Sequence, residues 1–134
     1  MPERLDAGLL DTSVVIDLAS IPAASLPRTM AISAITMAEL AAGPHATRDA
    51  DERARRQDRL QRAEAAFDPL PFDIGAARSY GRIYSAIVAA GRQPRGRLAD
   101  LMIAAVALAE DLPVITRNGE DFRGLGDLVE IVEI

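Results

Sequence analysis

Four carboxylates stand out from the 20 acidic residues of this chain because each interrupts an apolar stretch. Asp11 lies between Leu9-Leu10 and Val14-Val15-Ile16. Glu39 lies within Ile35-Thr36-Met37-Ala38-Glu39-Leu40-Ala41-Ala42, and Asp100 within Leu98-Ala99-Asp100-Leu101-Met102-Ile103-Ala104-Ala105. Asp121 adjoins Phe122 just after the apolar run Pro113-Val114-Ile115-Thr116. A carboxylate beside core is costly unless it is paired with a cation or hydrogen-bonded. Singly, each has an ordinary explanation as an internal ion pair or a helix cap. Together, two at strand ends and two on helices beside a sheet, they point to one acidic site. Converging acids raise one another's pKa unless a divalent cation offsets their charge. With oxygen the only donor, such a site favours Mg²⁺ or Mn²⁺ over zinc.

Other chemistries are excluded by what is missing. There is no Cys, so no thiolate nucleophile or Cys-ligated zinc, and His45 is the single histidine. Every one of the 15 basic residues is Arg, which removes the phosphate-loop lysine and Schiff-base chemistry. Thr12, Ser13, Thr116 and Asn118 stand at the same strand ends as the acids. They suit hydrogen bonds to carboxylates or to metal-bound water, and equally suit ordinary capping. Arg92, Arg95 and Arg97 fall in six residues without an acid, and Arg117 lies close to Asp121. Their guanidinium groups could grip phosphates; alternatively they form a solvated loop or answer the charge of the acids. Arg48, Arg53, Arg55, Arg56, Arg59 and Arg62 are interspersed with acids and read as a solvated helix face.

The elements that must position these groups alternate. The patterning predicts strands at Leu9–Leu10, Met30–Ser33, Pro113–Thr116 and Leu128–Val132. It predicts helices over Val14–Ala19, Thr36–Ala42, Arg48–Phe67, Ile74–Ala90 and Leu98–Glu110, with Asp73 as a cap and a short extended piece between Pro69 and Pro71. Short strands alternating with helices imply a three-layer α/β/α domain spanning 1–134, with a short, mainly parallel sheet. Such sheets place their sites outside the carboxyl ends of the strands, where the acids fall. Hydrophobic residues make up 49% and charged residues 26% of the 134, enough for one core-forming domain. The net charge of −5 and an aromatic content of 4% argue against a whole-surface nucleic-acid glove or a base-stacking platform. No run is long enough to span a membrane and no signal-peptide pattern opens the chain, so a cytoplasmic location is expected.

These residues carry a resemblance. Leu9-Leu10-Asp11-Thr12-Ser13-Val14-Val15-Ile16-Asp17 resembles the opening motif of PIN-domain nucleases. Ile32-Ser33 through Thr36-Met37-Ala38-Glu39-Leu40 is similar to that family's second motif, and Leu98 to Ala105 to its third. Val114-Ile115-Thr116-Arg117-Asn118 with Asp121-Phe122 is similar to its fourth. Each motif alone is weak, but the four stand in order from Gly8 to about Val132. The length and the Thr-Arg-Asn-x-x-Asp-Phe form resemble VapC-type toxins of toxin–antitoxin pairs. The resemblance implies a Mg²⁺-dependent endoribonuclease, a homodimer, held inactive by a small cognate antitoxin. It implies that Asp11, Asp100 and Asp121 hold the metal and that Glu39 orients or deprotonates the attacking water. Two features depart from the pattern without touching the acids: seven residues precede Gly8, and the Gly91–Arg97 loop is rich in arginine.

The competing enzyme class, a receiver or dehalogenase-like phosphoryl-transfer domain, needs a Lys or an Asp-x-Asp pair that Asp11-Thr12-Ser13 does not supply. The alternative without catalysis is a PIN-like module that binds RNA or a partner, whose marker would be a broken acidic set; here the set is intact. Met30, Met37 and Met102 in an alanine-rich chain further suggest uncovered apolar surface for a second copy and for an antitoxin segment near the acids.

Overall fold

The computed structural model of the chain describes residues 3–125 and 127–134. Its elements run β1 (Ala7–Leu10), α1 (Thr12–Ile16), β2 (Thr29–Ala31), α2 (Ala34–Ala42), α3 (Ala50–Ala66), α4 (Ile74–Ala89), α5 (Leu98–Ala109), β3 (Val114–Thr116) and β4 (Ile131–Glu133). Short 3-10 turns lie at Leu18–Ser20, Ala23–Ser25, Gly43–Ala46 and Gly119–Phe122. The strands form one sheet in the order β2-β1-β3-β4, every pair parallel.

Alternation along β1 and β3 divides the interior in two. Leu9 and Val114 are register partners and enter one core; Leu10 and Ile115, the next pair, enter the other. All four are fully buried, each contributing about 1.5–3 kcal/mol of transfer free energy. The first core is covered by α4 and α5 through Ile83, Ile87, Leu101 and Val106. The second is covered by α1 and α3 through Val14, Val15 and Ala63. This is the three-layer arrangement expected, and a sheet buried on both faces explains why its strands read as unbroken apolar runs. Gly8 in β1 is required by packing: a Cβ there would lie 2.8 Å from Ile115 Cγ1 and 3.2 Å from Pro27 Cγ.

Helix starts follow local chemistry. The side chains of Ser33, Asp49 and Asp73 accept from the N–H groups of Thr36, Glu52 and Ala76, satisfying donors at the starts of α2, α3 and α4. On α3 only Ala63 is buried, and Arg55, Arg56 and Arg62 pair with Glu52 and Asp58 of their own helix. Helix α5 is covered on more than one side, since Ile103 through Ala107 are buried in succession. Its alanines let α4 and the sheet approach from several directions.

Most boundaries move by one or two residues, and three shifts bear on the sheet or the site. The first helix starts at Thr12 rather than Val14 and gives way to a 3-10 turn at Leu18. Strand β2 stops at Ala31 because Ser33 turns to cap α2 and to bridge to Leu70, the extended residue between the two prolines. The last strand covers Ile131–Glu133, not Leu128–Val132. Its ladder begins where Val114 N–H donates to Glu130 O, while Val129 packs into the core before it. Among the described residues no helix is long and apolar enough to cross a membrane.

Candidate active site

Asp11 directly follows β1, the strand flanked by β2 and β3, and occupies the N-cap position of α1. Its carboxylate does not cap that helix. It is 4% exposed, and Oδ2 accepts two hydroxyl hydrogen bonds, from Ser13 Oγ and Thr116 Oγ1, both at 2.8 Å. Thr116 is the last residue of β3 and fully buried, so the pairing of β1 with β3 delivers its hydroxyl to Asp11. The same two hydroxyls accept from backbone: Arg117 N–H donates to Ser13 Oγ and Asn118 N–H to Thr116 Oγ1. Strand end, acid and following turn are thereby knitted into one network, leaving Oδ1 outside it.

Glu39 lies on the exposed side of α2, and Thr12 Oγ1 donates to its Oε1 at 2.6 Å. Thr12 Oγ1 is also 3.0 Å from the hydroxyl of Thr36, a buried residue one turn before Glu39. The hydroxyl beside Asp11 therefore fixes the acid of the second motif. Asp100 sits in the first turn of α5, half-buried. Asp121 is carried by the 3-10 turn Gly119–Phe122, anchored by the buried Phe122.

The four acids share one electrostatic field. Asp100 is pushed up from its ordinary 3.8 to about 6, first by burial and then by the charges of Asp11, Asp121 and Glu39, with Arg97 opposing. An acid whose proton affinity is raised by three other carboxylates is in a place that accumulates negative charge. They do not close on one another: among the described residues no three acidic or histidine side chains are near enough to form a finished cation cage. The donor set, oxygen throughout and short of positive charge, fits a hard divalent cation.

The arginines separate. Arg97 Nη1 donates to the carbonyls of Glu120 and Asp121, at 3.2 and 3.1 Å. Arg117 lies 3.6 Å from Asp17. Arg92 and Arg95 line a different depression, with Tyr80, Tyr84, Val88 and Leu98. Asn118 is exposed and meets the site through its backbone N–H, and His45 is exposed. Two residues assigned to a solvated face, Arg56 and Arg59, instead close a cavity of about 310 Å³ beside Thr12 and Glu39. Their spacing of three along α3 was the one signal, and it matched any charged helix face.

Residues 8–128 match the PIN domain family. The chain is 40% identical over 133 residues to Ribonuclease VapC5 of Mycobacterium tuberculosis (strain ATCC 25618 / H37Rv), covering 96% of each protein. It superposes with a TM-score of 0.84 on a crystal structure of VapBC-5, a member of the VapBC family of toxin–antitoxin systems from that species, covering 96% of this chain and 99% of that one. It also resembles FitAcB from Neisseria gonorrhoeae, at 28% identity and a TM-score of 0.70, covering 92% of this chain and 95% of that one.

Proposed function

The chain belongs to the PIN domain family, and from that premise we propose that it is a toxin-type endoribonuclease, inhibited by a cognate antitoxin, acting through Asp11, Glu39, Asp100 and Asp121. Nucleases of this family are metal-dependent. The observation that carries the assignment is the hydroxyl network in which Ser13 and Thr116 hold the buried Asp11 carboxylate while Thr12 beside it holds Glu39, with the charges of Asp11, Asp121 and Glu39 all acting on Asp100.

Mg²⁺, with Mn²⁺ as a substitute, suits the donor set, and when bound it supplies Lewis acidity and a water of lowered pKa. Asp11, Asp100 and Asp121 would hold it. Ser13 and Thr116 lock the rotation of the Asp11 carboxylate through Oδ2, which leaves Oδ1 for a ligand. Glu39, steadied through Oε1 by Thr12, orients the attacking water and takes its proton. The water oxygen bonds to phosphorus, the P–O3′ bond breaks, and the leaving oxygen takes a proton from solvent. Products therefore carry a 5′-phosphate and a 3′-hydroxyl, because the ribose 2′-hydroxyl takes no part. Arg92, Arg95 and Arg117 remain candidates for holding RNA phosphates outside the acids.

Surface features support the partners. An apolar groove of about 430 Å³ between α1 and α3, floored by Val15, Leu18, Ala63 and Phe67, continues past Ile16 and Arg59 to the Glu39 cavity. It suits an antitoxin segment that ends in a basic side chain at the acids. Tyr84, Val88 and Leu98 are exposed together and suit a second copy of the chain. Residues 1–134 then act as one nuclease domain in the cytoplasm, where RNA is available. The deciding experiment is RNA cleavage with and without EDTA, using Asp11→Asn as control. Loss of cutting in both supports the reading. Cutting that survives EDTA refutes it, and binding without cutting favours the silent-module alternative.

A further inference from the structure

The turn that carries Asp121 is gripped at both ends by side chains of opposite charge. At its amino end, Gly119 N–H donates to Glu133 Oε1 at 2.6 Å. At its carboxyl end, Arg97 Nη1 donates to the carbonyls of Glu120 and Asp121. A short helical turn exposes unpaired N–H groups at its start and unpaired carbonyls at its end. A carboxylate on the first and a guanidinium on the second each meet the sign they need, the Glu120 carbonyl also accepting from Arg123 N–H. The two side chains come from different elements. Glu133 lies in β4, register partner of Thr116 in β3, and Arg97 is the residue on which α5 begins, three before Asp100. Glycine at 119 belongs to the same device, since a Cβ there would stand 2.6 Å from Glu133 Oε1 and displace it.

We infer that Arg97 and Glu133 form a two-ended clamp that sets the position of Asp121 relative to Asp100 and Asp11. They are positioning residues that do not touch RNA. Arg97 ties the Asp121 turn to the start of the helix bearing Asp100. Glu133 ties it to the β3–β4 edge, whose residue Thr116 holds Asp11. Three of the four acids are thus referenced to one frame. This assigns Arg97 a different task from the phosphate contact that its place in an arginine-rich loop suggests. The inference rests on the four-acid reading of the site.

The test uses the full-length protein in four variants: Arg97→Met, Glu133→Ala, Glu133→Gln and Gly119→Ala. Amide hydrogen exchange over residues 119–123 reads the clamp directly. It should quicken about tenfold in Arg97→Met, Glu133→Ala and Gly119→Ala, while Glu133→Gln, which keeps the acceptor oxygen, stays near wild type. Calorimetric Mg²⁺ binding by the RNA-free protein should weaken about tenfold in the same three variants, with kcat falling and KM for RNA unchanged. Gly119→Ala leaves Arg97 in place, so the inference stays testable if Arg97→Met fails to fold. Unchanged exchange and Mg²⁺ binding in Glu133→Ala and Gly119→Ala would overturn the clamp. A rise in KM with kcat intact in Arg97→Met would return Arg97 to RNA binding and overturn it equally. Failure of the site reading looks different: Asp121→Asn would cut RNA at the wild-type rate although the exchange data still report the clamp.

Discussion

Replacing Asp100 by Asn should make the metal-free protein more stable at neutral pH while abolishing its activity. In the folded chain the Asp100 carboxyl is raised from 3.8 to about 6 by burial and by Asp11, Asp121 and Glu39. Between about pH 4 and 6 the folded state therefore holds a proton that the unfolded chain has released. Stability falls as pH rises through that window and the deficit persists above it. Fully expressed, the displacement corresponds to roughly 3 kcal/mol at pH 7. The carboxyl is half-open to solvent, so screening reduces this to about 1–1.5 kcal/mol. Asn keeps the size and loses the charge. In EDTA its melting temperature should exceed that of wild type by about 3–6 °C at pH 7, and the two proteins should converge at pH 4. Saturating Mg²⁺ should stabilise wild type and leave Asp100→Asn nearly unmoved. Equal stability at pH 7, or a gap that is the same at pH 4, would refute the claim that this acid sits in a field of its neighbours' charge.

Further outcomes follow from the same contacts. Thr116→Val keeps the volume but removes a donor to the buried Asp11 carboxylate, so urea denaturation should show a loss of about 1–3 kcal/mol. Glu39→Gln should lower kcat by about 10²–10⁴ with KM little changed, and Thr12→Val, which frees the Glu39 carboxylate and the Thr36 hydroxyl without removing the acid, should lower it less. Gly8→Ala forces a Cβ against Ile115 and should cost about 1–3 kcal/mol by thermal denaturation, an effect that Ile115→Val relieves in part.

Much of this architecture is legible because strand and helix signals are strong where burial is extreme. Leu9-Leu10 and Val114-Ile115 are apolar without interruption since both sheet faces are covered, with Asp11 directly after the first and Asp121 in the turn after the second. Boundaries shift where tertiary hydrogen bonds decide. The last strand begins at Ile131 because the Val114 N–H meets Glu130, a pairing that no local pattern encodes. At the site, the four acids stand out as polar interruptions of apolar runs. Glu133 does not, because an acid in a three-residue edge strand resembles any solvated position, and its role depends on Gly119 lying beside it. Arg97 is likewise conspicuous by type but not by task. Its two carbonyl partners lie more than twenty residues away in sequence, so composition reveals the guanidinium and only the fold shows where it is spent.

The placement of β1 between β2 and β3 has a consequence for the order in which the site is assembled during synthesis. As the chain leaves the ribosome, β1, β2 and the helix bearing Glu39 emerge early and can pair locally. Asp11 then lacks Thr116, and the turn bearing Asp121 has yet to be made. The first acid is held by a residue 105 positions later, so a partly synthesised chain carries no assembled acidic centre. At elongation rates of about 5–20 residues per second that interval is on the order of ten seconds. Throughout it the growing chain has neither the hydroxyl that holds the Asp11 carboxylate nor the turn that carries Asp121.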